Sequence, residues 1–298
     1  MSDRRRLIGP LNTIIPNIGI SSNATEADVF KGPSSATRNE DGLRQFFLKT
    51  GIIENANGSA YLEVGGNIIQ VSVFGPRPIR GSFVDRASFS VECKFLPYIS
   101  QPNEQLYNNT TVNAGSTANT GPTNANANGR TGLTNIEQKI SSYIETALLP
   151  SIVLEKYPKS TIDIFVTILS TESSNSGSTK VDAALLGISN WVLNCSSVAL
   201  VDSGIELKDV VTSGVATLKN DKLLLDPEVI SSGEDNENTL TCVVSFMNLR
   251  NDEIVGFWME GDQSKFEESQ VEQLIDGCNN MSRQVRANIN SYFTSTLE

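Results

Sequence analysis

The run FFLKTGIIENANGSAYLEVGGNIIQVSVFGPR, which spans residues 46–77, decides the fold class of this chain. It contains three short stretches rich in β-branched and aromatic residues, separated by glycines or by a Gly-Pro pair. Stretches of this kind, bounded by turn residues, are typical of consecutive antiparallel strands. We therefore predict strands at residues 46–54, 59–64 and 68–74, a tight hairpin turn at Gly65-Gly66, and a fourth strand at residues 87–96.

Helical patterns alternate with further strands downstream. Thr134-Asn-Ile-Glu137 has the form of a capping box, in which each side chain accepts the other residue's backbone amide and starts a helix. The apolar stripe of that helix, which Pro150 should kink, recurs every four residues at Ile136, Ile140, Ile144, Leu148 and Ile152. We predict a strand at 161–169, a buried helix at 182–201 capped by Gly204, strand pairs at 210–226 and 240–259 with a turn at Asn251-Asp252, and an amphipathic helix at 265–293. This order predicts an α+β fold, with a mixed, mostly antiparallel sheet packed with helices.

Polar, low-complexity segments interrupt this pattern. Residues 1–41 are rich in Ser, Asn, Gly and Pro, a composition that buries too little apolar surface to offset the entropy of ordering. We predict an N-terminal tail at 1–41 and a single domain at 42–298. Within that domain, disordered insertions are expected at about 101–130, 171–180 and 230–239.

Composition excludes several classes of chemistry. The 298 residues include no histidine, which removes the Ser-His-Asp triad and the commonest zinc ligand. Cys93, Cys195, Cys242 and Cys278 are far apart, with no C-x-x-C pair, so we predict buried reduced thiols rather than a disulfide framework or a zinc site. No metal or other cofactor is expected.

Charge and hydropathy limit the partners. The formal net charge of −11 makes the surface as a whole repel phosphate backbones, so any contact with nucleic acid requires a local basic patch. We expect no apolar run of the ~20 residues that are needed to span a bilayer. We therefore predict no membrane partner.

Several motifs resemble the RNase PH family. TGIIENANGSAYLEVGGN (50–67) and VFGPR (73–77) are similar to the family's G-S-A-x-x-E-x-G-x-T and V-x-G-P-R motifs. EKYPKSTID (155–163) is similar to its Y-P-(K/R)-S-x-I-D strand entry, and VALVDSGI (198–205) to its A-L-A-D-A-G-I helix end. The resemblance covers about residues 43–298 and implies the RNase PH fold, which is related to domain 2 of ribosomal protein S5.

Two further runs resemble one branch of this family. DRRRLIGP (3–10) and EIVGFWM (253–259) are similar to the fungal mRNA-transport-regulator branch of the RNase PH-like exosome subunits. The resemblance implies a non-catalytic structural subunit that supports 3′-to-5′ processing and turnover of rRNA, snRNA and mRNA in nucleus, nucleolus and cytoplasm. The implied partners are the other RNase PH-like subunits of a six-membered ring, S1/KH cap subunits, exosome nuclease subunits and the RNA that passes the ring.

Two parts of the family's phosphorolytic site are missing. Active members carry an Asp-Gly-Gly or Asp-Ala-Gly turn after the strand predicted at 161–169, where this chain has Thr-Glu172-Ser-Ser. Active members also carry paired arginines at the start of the helix that corresponds to the one predicted at Thr134, where this chain has Thr134, Asn135 and Ile136. The alternative is an active phosphate-dependent exoribonuclease that uses Glu172, Lys159 and Arg77, although a solvated loop acid is the simpler interpretation of Glu172.

Three cations are candidate RNA contacts. Arg77 and Arg80 follow the end of a predicted strand, and Lys159 occupies the basic position of the Y-P-K-S motif. For each arginine, an intramolecular ion pair is at least as good an interpretation as an RNA contact. For Lys159, a plain surface lysine is as good an interpretation as a phosphate contact. Asp163 is predicted to be a lone exposed acid. Trp191 and Trp258 are predicted to be core or interface anchors.

Overall fold

The computed structural model describes residues 42–81, 83–99, 133–171, 181–219, 222–227, 239–249, 251–261, 266 and 268–297. The predicted tail at 1–41 lies outside these ranges. The predicted insertions at 101–130, 171–180 and 230–239 also lie outside them, apart from Thr171 and Thr239.

A five-stranded mixed sheet forms the first half of the fold. Its strands are β1 (Phe46–Thr50), β2 (Gly58–Val64), β3 (Asn67–Pro78), β4 (Ser88–Phe95) and β5 (Ser160–Ser170), in the order β1-β2-β3-β5-β4. β1, β2 and β3 pair antiparallel in succession, as predicted. The prediction is wrong for β4, which pairs parallel to β5. Local patterns could not reveal this, because β5 comes from much later in the chain and inserts between β3 and β4.

A second, four-stranded antiparallel sheet forms the other half. It contains β6 (Val211–Lys219), β7 (Lys222–Leu225), β8 (Thr239–Met247) and β9 (Glu253–Gly261), in the order β7-β6-β8-β9. Asn251 and Asp252 have φ angles of +40° and +49°, which confirms the predicted turn between β8 and β9. The single sheet expected from the sequence is thus two sheets, while the α+β class is confirmed.

Three α-helices pack on these sheets within the described ranges: α1 (Asn135–Leu148), α2 (Val181–Asp202) and α3 (Glu268–Leu297). The capping box of α1 is confirmed, since Thr134 Oγ1 accepts the Glu137 amide at 3.3 Å and Glu137 Oε2 accepts the Thr134 amide at 2.7 Å. The helix ends before Pro150, which lies in a short 3-10 turn and does not kink α1. Ile152, predicted on the helical stripe, lies beyond the helix.

Helix α2 lies between the two sheets and contacts strands of both. The stretch Ala184–Asp202 is long and apolar enough to cross a membrane, and 83% of it is buried inside the fold. The expectation that no apolar run reaches this length is therefore wrong, because the central core helix of a protein can pass the same test. Gly204 ends the helix with a φ of +70°, which confirms the predicted left-handed cap.

Helix α3 covers the face of the four-stranded sheet that lies opposite α2, and it approaches the sheet closely at Gly214. A Cβ atom at Gly214 would lie 2.1 Å from the Cys278 carbonyl oxygen of α3. Two side-chain contacts flank this point, since Thr212 Oγ1 and Ser282 Oγ share a hydrogen bond at 2.8 Å and the Val215 amide lies 3.2 Å from Met281 Sδ. Glycine is therefore required at this position of β6.

The close approach at Gly214 gives a stability prediction. Gly214→Ala should lower the free energy of unfolding by about 1–3 kcal/mol, because the backbone of α3 must move to admit the methyl group. The matched control is Gly187→Ala within α2, where a Cβ would meet nothing within 4 Å and which should gain about 0.5–1 kcal/mol from lower chain entropy. Urea unfolding of both variants measures the difference, and equal effects would contradict it.

Helix α1 is tied to β9 around Trp258. Glu260 Oε1 accepts hydrogen bonds from Lys139 Nζ and from Trp258 Nε1, both at 2.7 Å. The Lys139 ammonium also lies 4.7 Å from the Trp258 ring centroid. Burial alone would raise the pKa of Glu260, but the hydrogen bonds and the charge of Lys139 outweigh it, so this pKa lies below its ordinary value of 4.5.

This lowered pKa predicts a pH dependence of stability. Because the folded protein favours the charged carboxylate, the stabilisation by Glu260 should be present above pH 4.5 and lost as the pH falls through the folded pKa. Thermal unfolding of Glu260→Gln should therefore differ from wild type at pH 7 and converge with it in acid. Glu253→Gln, an exposed acid on the same strand, is the control and should not show this convergence.

Candidate functional site

The first pair of family-like motifs meets where β2 begins beside the end of α2. A Cβ atom at Gly58 would lie 2.3 Å from the Ser203 amide nitrogen. The next amide, that of Ser59, donates to Asp202 Oδ2 at 2.8 Å. The G-S-A and V-D-S-G motifs are therefore joined by close backbone packing and a hydrogen bond. These contacts give both motifs a structural role in the fold.

The second pair of motifs meets across β3 and β5. Arg77 is opposite Thr161 in the register, and its Nη2 atom forms an ion pair with Asp163 Oδ2 at 2.8 Å. Ser90 Oγ of β4 donates to Asp163 Oδ1 at 2.7 Å, and the guanidinium lies 5.3 Å from the Phe74 ring centroid. The prediction that Asp163 is a lone acid is therefore wrong. Arg77 forms the intramolecular ion pair that the sequence analysis gave as the alternative to an RNA contact.

The backbone of Lys159 binds both sides of the loop that follows β3. Its φ is +53°, its amide donates to the Val84 carbonyl at 2.9 Å, and its carbonyl accepts the Ile79 amide at 3.0 Å. Arg80 lies within the loop closed by these two bonds. The structure therefore brings the three predicted cations to one end of the five-stranded sheet.

We call this surface the basic corner and define it as Arg77, Arg80, Arg86 and Lys159. All four are exposed. The side chains of Arg80, Arg86 and Lys159 make no ion pair or hydrogen bond within the part of the chain that the structure describes. Sequence reasoning missed Arg86, although its position six residues after Arg80 in the same connection was a usable signal.

The start of α1 is closed to an anion by the protein's own carboxylate. Glu137 is 4% exposed, and its two oxygens accept the amides of Thr134 at 2.7 Å and of Phe95 at 2.8 Å. A helix N-terminus favours negative charge, but here a buried acidic side chain already supplies it. A phosphate at the start of α1 would therefore meet the Glu137 carboxylate.

Glu172, the cysteines and possible metal ligands are the remaining candidate groups. Glu172 lies outside the described residues, as do Ser173 and Ser174 of the same turn. All four cysteines are free and buried, and burial raises the pKa of the Cys93 and Cys195 thiols. Within the described ranges, no group of three His, Cys, Asp or Glu side chains could hold a metal ion.

Both tryptophans are core anchors, as predicted. Trp191 is fully buried and Trp258 is 8% exposed. Trp191 packs against Phe46 with the ring centroids 5.3 Å apart, and Trp258 packs against Tyr143 at 5.5 Å. Neither ring is available to stack on a nucleobase.

A model of the 3′ exoribonuclease family, domain 1, matches residues 42–206, which include all four motifs. The chain belongs to the RNase PH family. Its fold is also that of rice (Oryza sativa) Rrp46, whose crystal structure matches with a TM-score of 0.62 at 18% identity, over 87% of this chain and 98% of that chain. The RNase PH fold predicted from the motifs is confirmed.

Curated relatives place the chain near exosome components. Exosome complex component MTR3 of Chaetomium thermophilum is 26% identical over 100% of both chains. Exosome complex component Rrp41 of Pyrococcus horikoshii is 28% identical over 76% of this chain and 75% of its own, and that of Nitrosopumilus maritimus is 29% identical over 81% and 83%. The resemblance to exosome RNase PH-like subunits, including the mRNA-transport-regulator branch, is confirmed.

The Arg77–Asp163 pair gives a prediction about its strength. Arg77 and Asp163 side chains are 52% and 25% exposed, and exposed ion pairs contribute about 0.2–1 kcal/mol. A double-mutant cycle of Arg77→Met and Asp163→Asn in urea unfolding should give a coupling energy in that range. A coupling of several kcal/mol would mean that this pair holds the sheet together, contrary to its exposure.

Proposed function

We propose that this chain is a structural subunit of the RNA exosome ring, assembled with other RNase PH-like subunits, S1/KH cap subunits and separate nuclease subunits. In that role it supports 3′-to-5′ processing and degradation of rRNA, snRNA and mRNA in nucleus, nucleolus and cytoplasm. The observation that carries the proposal is the match to exosome component MTR3 along the whole of both chains. The proposed domain is residues 42–298, preceded by a tail and carrying the three insertions.

Exposed apolar surface on the second sheet supports a need for protein partners. β9 is an edge strand, and it exposes Ile254 at 51% and Phe257 at 46%. Leu249, in the preceding turn, is 69% exposed. A long apolar edge strand left without a partner favours association or aggregation. We therefore expect the isolated chain to be less soluble than the assembled one.

The geometry of the motif residues supports a subunit without nuclease activity of its own. Phosphorolysis brings two anions together and requires unpaired cations and free amides around the attacking phosphate. Arg77 is held by Asp163, and the start of α1 is occupied by Glu137. RNA that passes the ring would instead be contacted at Arg80 and Lys159, with Arg77 beside them.

The second candidate is an active phosphate-dependent 3′-to-5′ exoribonuclease that uses Glu172, Lys159 and Arg77. The description of the matching family as 3′ exoribonucleases favours it. The discriminating assay is phosphate-dependent release of nucleoside diphosphates from RNA by the purified chain. Activity that is lost in Glu172→Gln but kept in the matched surface variant Glu155→Gln would establish the enzyme.

Purification of the tagged full-length chain from its own cells tests the structural proposal. We expect it in a large RNA-degrading complex by native mass measurement, with the chain alone releasing no nucleoside diphosphates at any phosphate concentration. The physical reason is that neither a phosphate-binding helix terminus nor an arginine pair is available at α1. Recovery as a small particle that degrades RNA only with added phosphate would overturn the proposal.

A further inference from the structure

The connection between β3 and β4 exposes an aromatic ring inside the basic corner. Phe83 is 69% exposed, and the neighbouring Val84 is 48% exposed. Single exposed apolar side chains are common on protein surfaces, so exposure alone does not mark a site. The position of Phe83 between Arg80 and Arg86, beside the loop closure at Lys159, is what sets it apart.

The segment that carries Phe83 is anchored on both sides. The two backbone hydrogen bonds of Lys159 hold the residues on either side of the loop, at Ile79 and Val84, and the Ala87 amide donates to the Leu154 carbonyl at 3.1 Å. Ala87 itself is buried. A side chain presented by an anchored segment loses less conformational entropy on binding than one on a free loop.

The charge of this corner differs from that of the whole chain. Arg77, Arg80, Arg86 and Lys159, counted against Asp85 and Asp163, give a local net charge of +2 in a chain whose formal net charge is −11. Several other cations of the described chain are held in ion pairs, among them Lys94, Lys139 and Arg286. The side chains of Arg80, Arg86 and Lys159 therefore keep their donors for a ligand.

We propose that Phe83 stacks on a nucleobase of single-stranded RNA while Arg80, Arg86 and Lys159 bind its phosphates. This inference rests on the proposed function and names the ligand contact of this subunit. Single-stranded RNA offers base faces and phosphates together, which an aromatic ring among unpaired cations recognises without reading sequence. In a duplex the base faces are stacked on each other, and an acidic peptide would engage the cations but not the ring. Arg77 contributes less, because Asp163 holds its guanidinium.

Fluorescence anisotropy of the purified full-length chain with two labelled probes tests this assignment. One probe is a 15-nucleotide oligo(A) RNA, and the other is an abasic oligonucleotide of the same length. Phe83→Leu should weaken oligo(A) binding by about 5- to 150-fold, the usual effect of removing one stacked base, and should not change abasic binding. Tyr98→Leu is the control, because Tyr98 is 74% exposed outside the basic corner and should leave both affinities unchanged.

Two further variants separate stacking from charge. Arg86→Gln should reduce the slope of log affinity against log salt by about 0.7, the value expected for one phosphate contact to a single strand. Phe83→Trp should keep the oligo(A) affinity that Phe83→Leu loses. It should also give a fluorescence signal that RNA quenches, since the native Trp191 and Trp258 are buried.

Equal oligo(A) affinity for wild type and Phe83→Leu, equal affinity of wild type for both probes, or no RNA binding by the chain would each overturn the inference. So would a loss of ring assembly in Phe83→Leu with RNA binding intact, which would make the loop a protein contact. Membership of the complex is judged separately by co-purification, so the inference can fail while the proposed function stands. Thermal unfolding of each variant excludes a folding defect as the cause.

Discussion

Helix α2 has no face that can be left in water, and the rest of the structure follows from covering it. Every residue from 185 to 200 is buried, and a helix that is buried all round needs protein on every side. The two sheets supply that cover. Two of its buried polar side chains bind β6: Asn194 Oδ1 accepts the Ser213 amide at 2.9 Å and Asn190 Oδ1 accepts the Ser213 hydroxyl at 2.8 Å. Hydrogen bonds between buried polar groups favour one arrangement of helix and strand over its alternatives, while Asn190 Nδ2 has no partner among the described residues.

A single side chain, Glu137, both caps helix α1 and binds the edge strand of the five-stranded sheet. β4 is the last strand of its sheet, and its outward amides at Cys93 and Phe95 are taken by Ser141 Oγ at 2.9 Å and Glu137 Oε1 at 2.8 Å. Both acceptors lie on α1. This contact closes an edge that would otherwise be open to another strand, and it fills the helix terminus where a phosphate could bind. The same residue thus caps α1 and closes the edge of β4.

The four family motifs divide into two interlocked pairs, and each pair has a structural purpose in this chain. Gly58 and Ser59 fit against the end of α2 at Asp202, whereas Arg77 is paired with Asp163 across β3 and β5. Gly58, Ser59, Arg77 and Asp163 therefore carry the family resemblance through contacts within the fold. Exposed cations without an ion pair among the described residues include Lys159, within one of these motifs, and Arg80 and Arg86, in the connection that follows another.

The sequence by itself determined the elements whose causes are local. The capping box at Thr134, the left-handed cap at Gly204 and the turn at Asn251-Asp252 each depend on residues within a few positions of one another, and all three are found in the structure. Only the tertiary structure decided the parallel pairing of β4 with β5, the division into two sheets, and the partner of Asp163. It also decided that Arg86 and Phe83 lie exposed beside Lys159. Each of these depends on contacts between segments far apart in the chain, and such contacts arise from the packing around α2 and leave no local pattern to read.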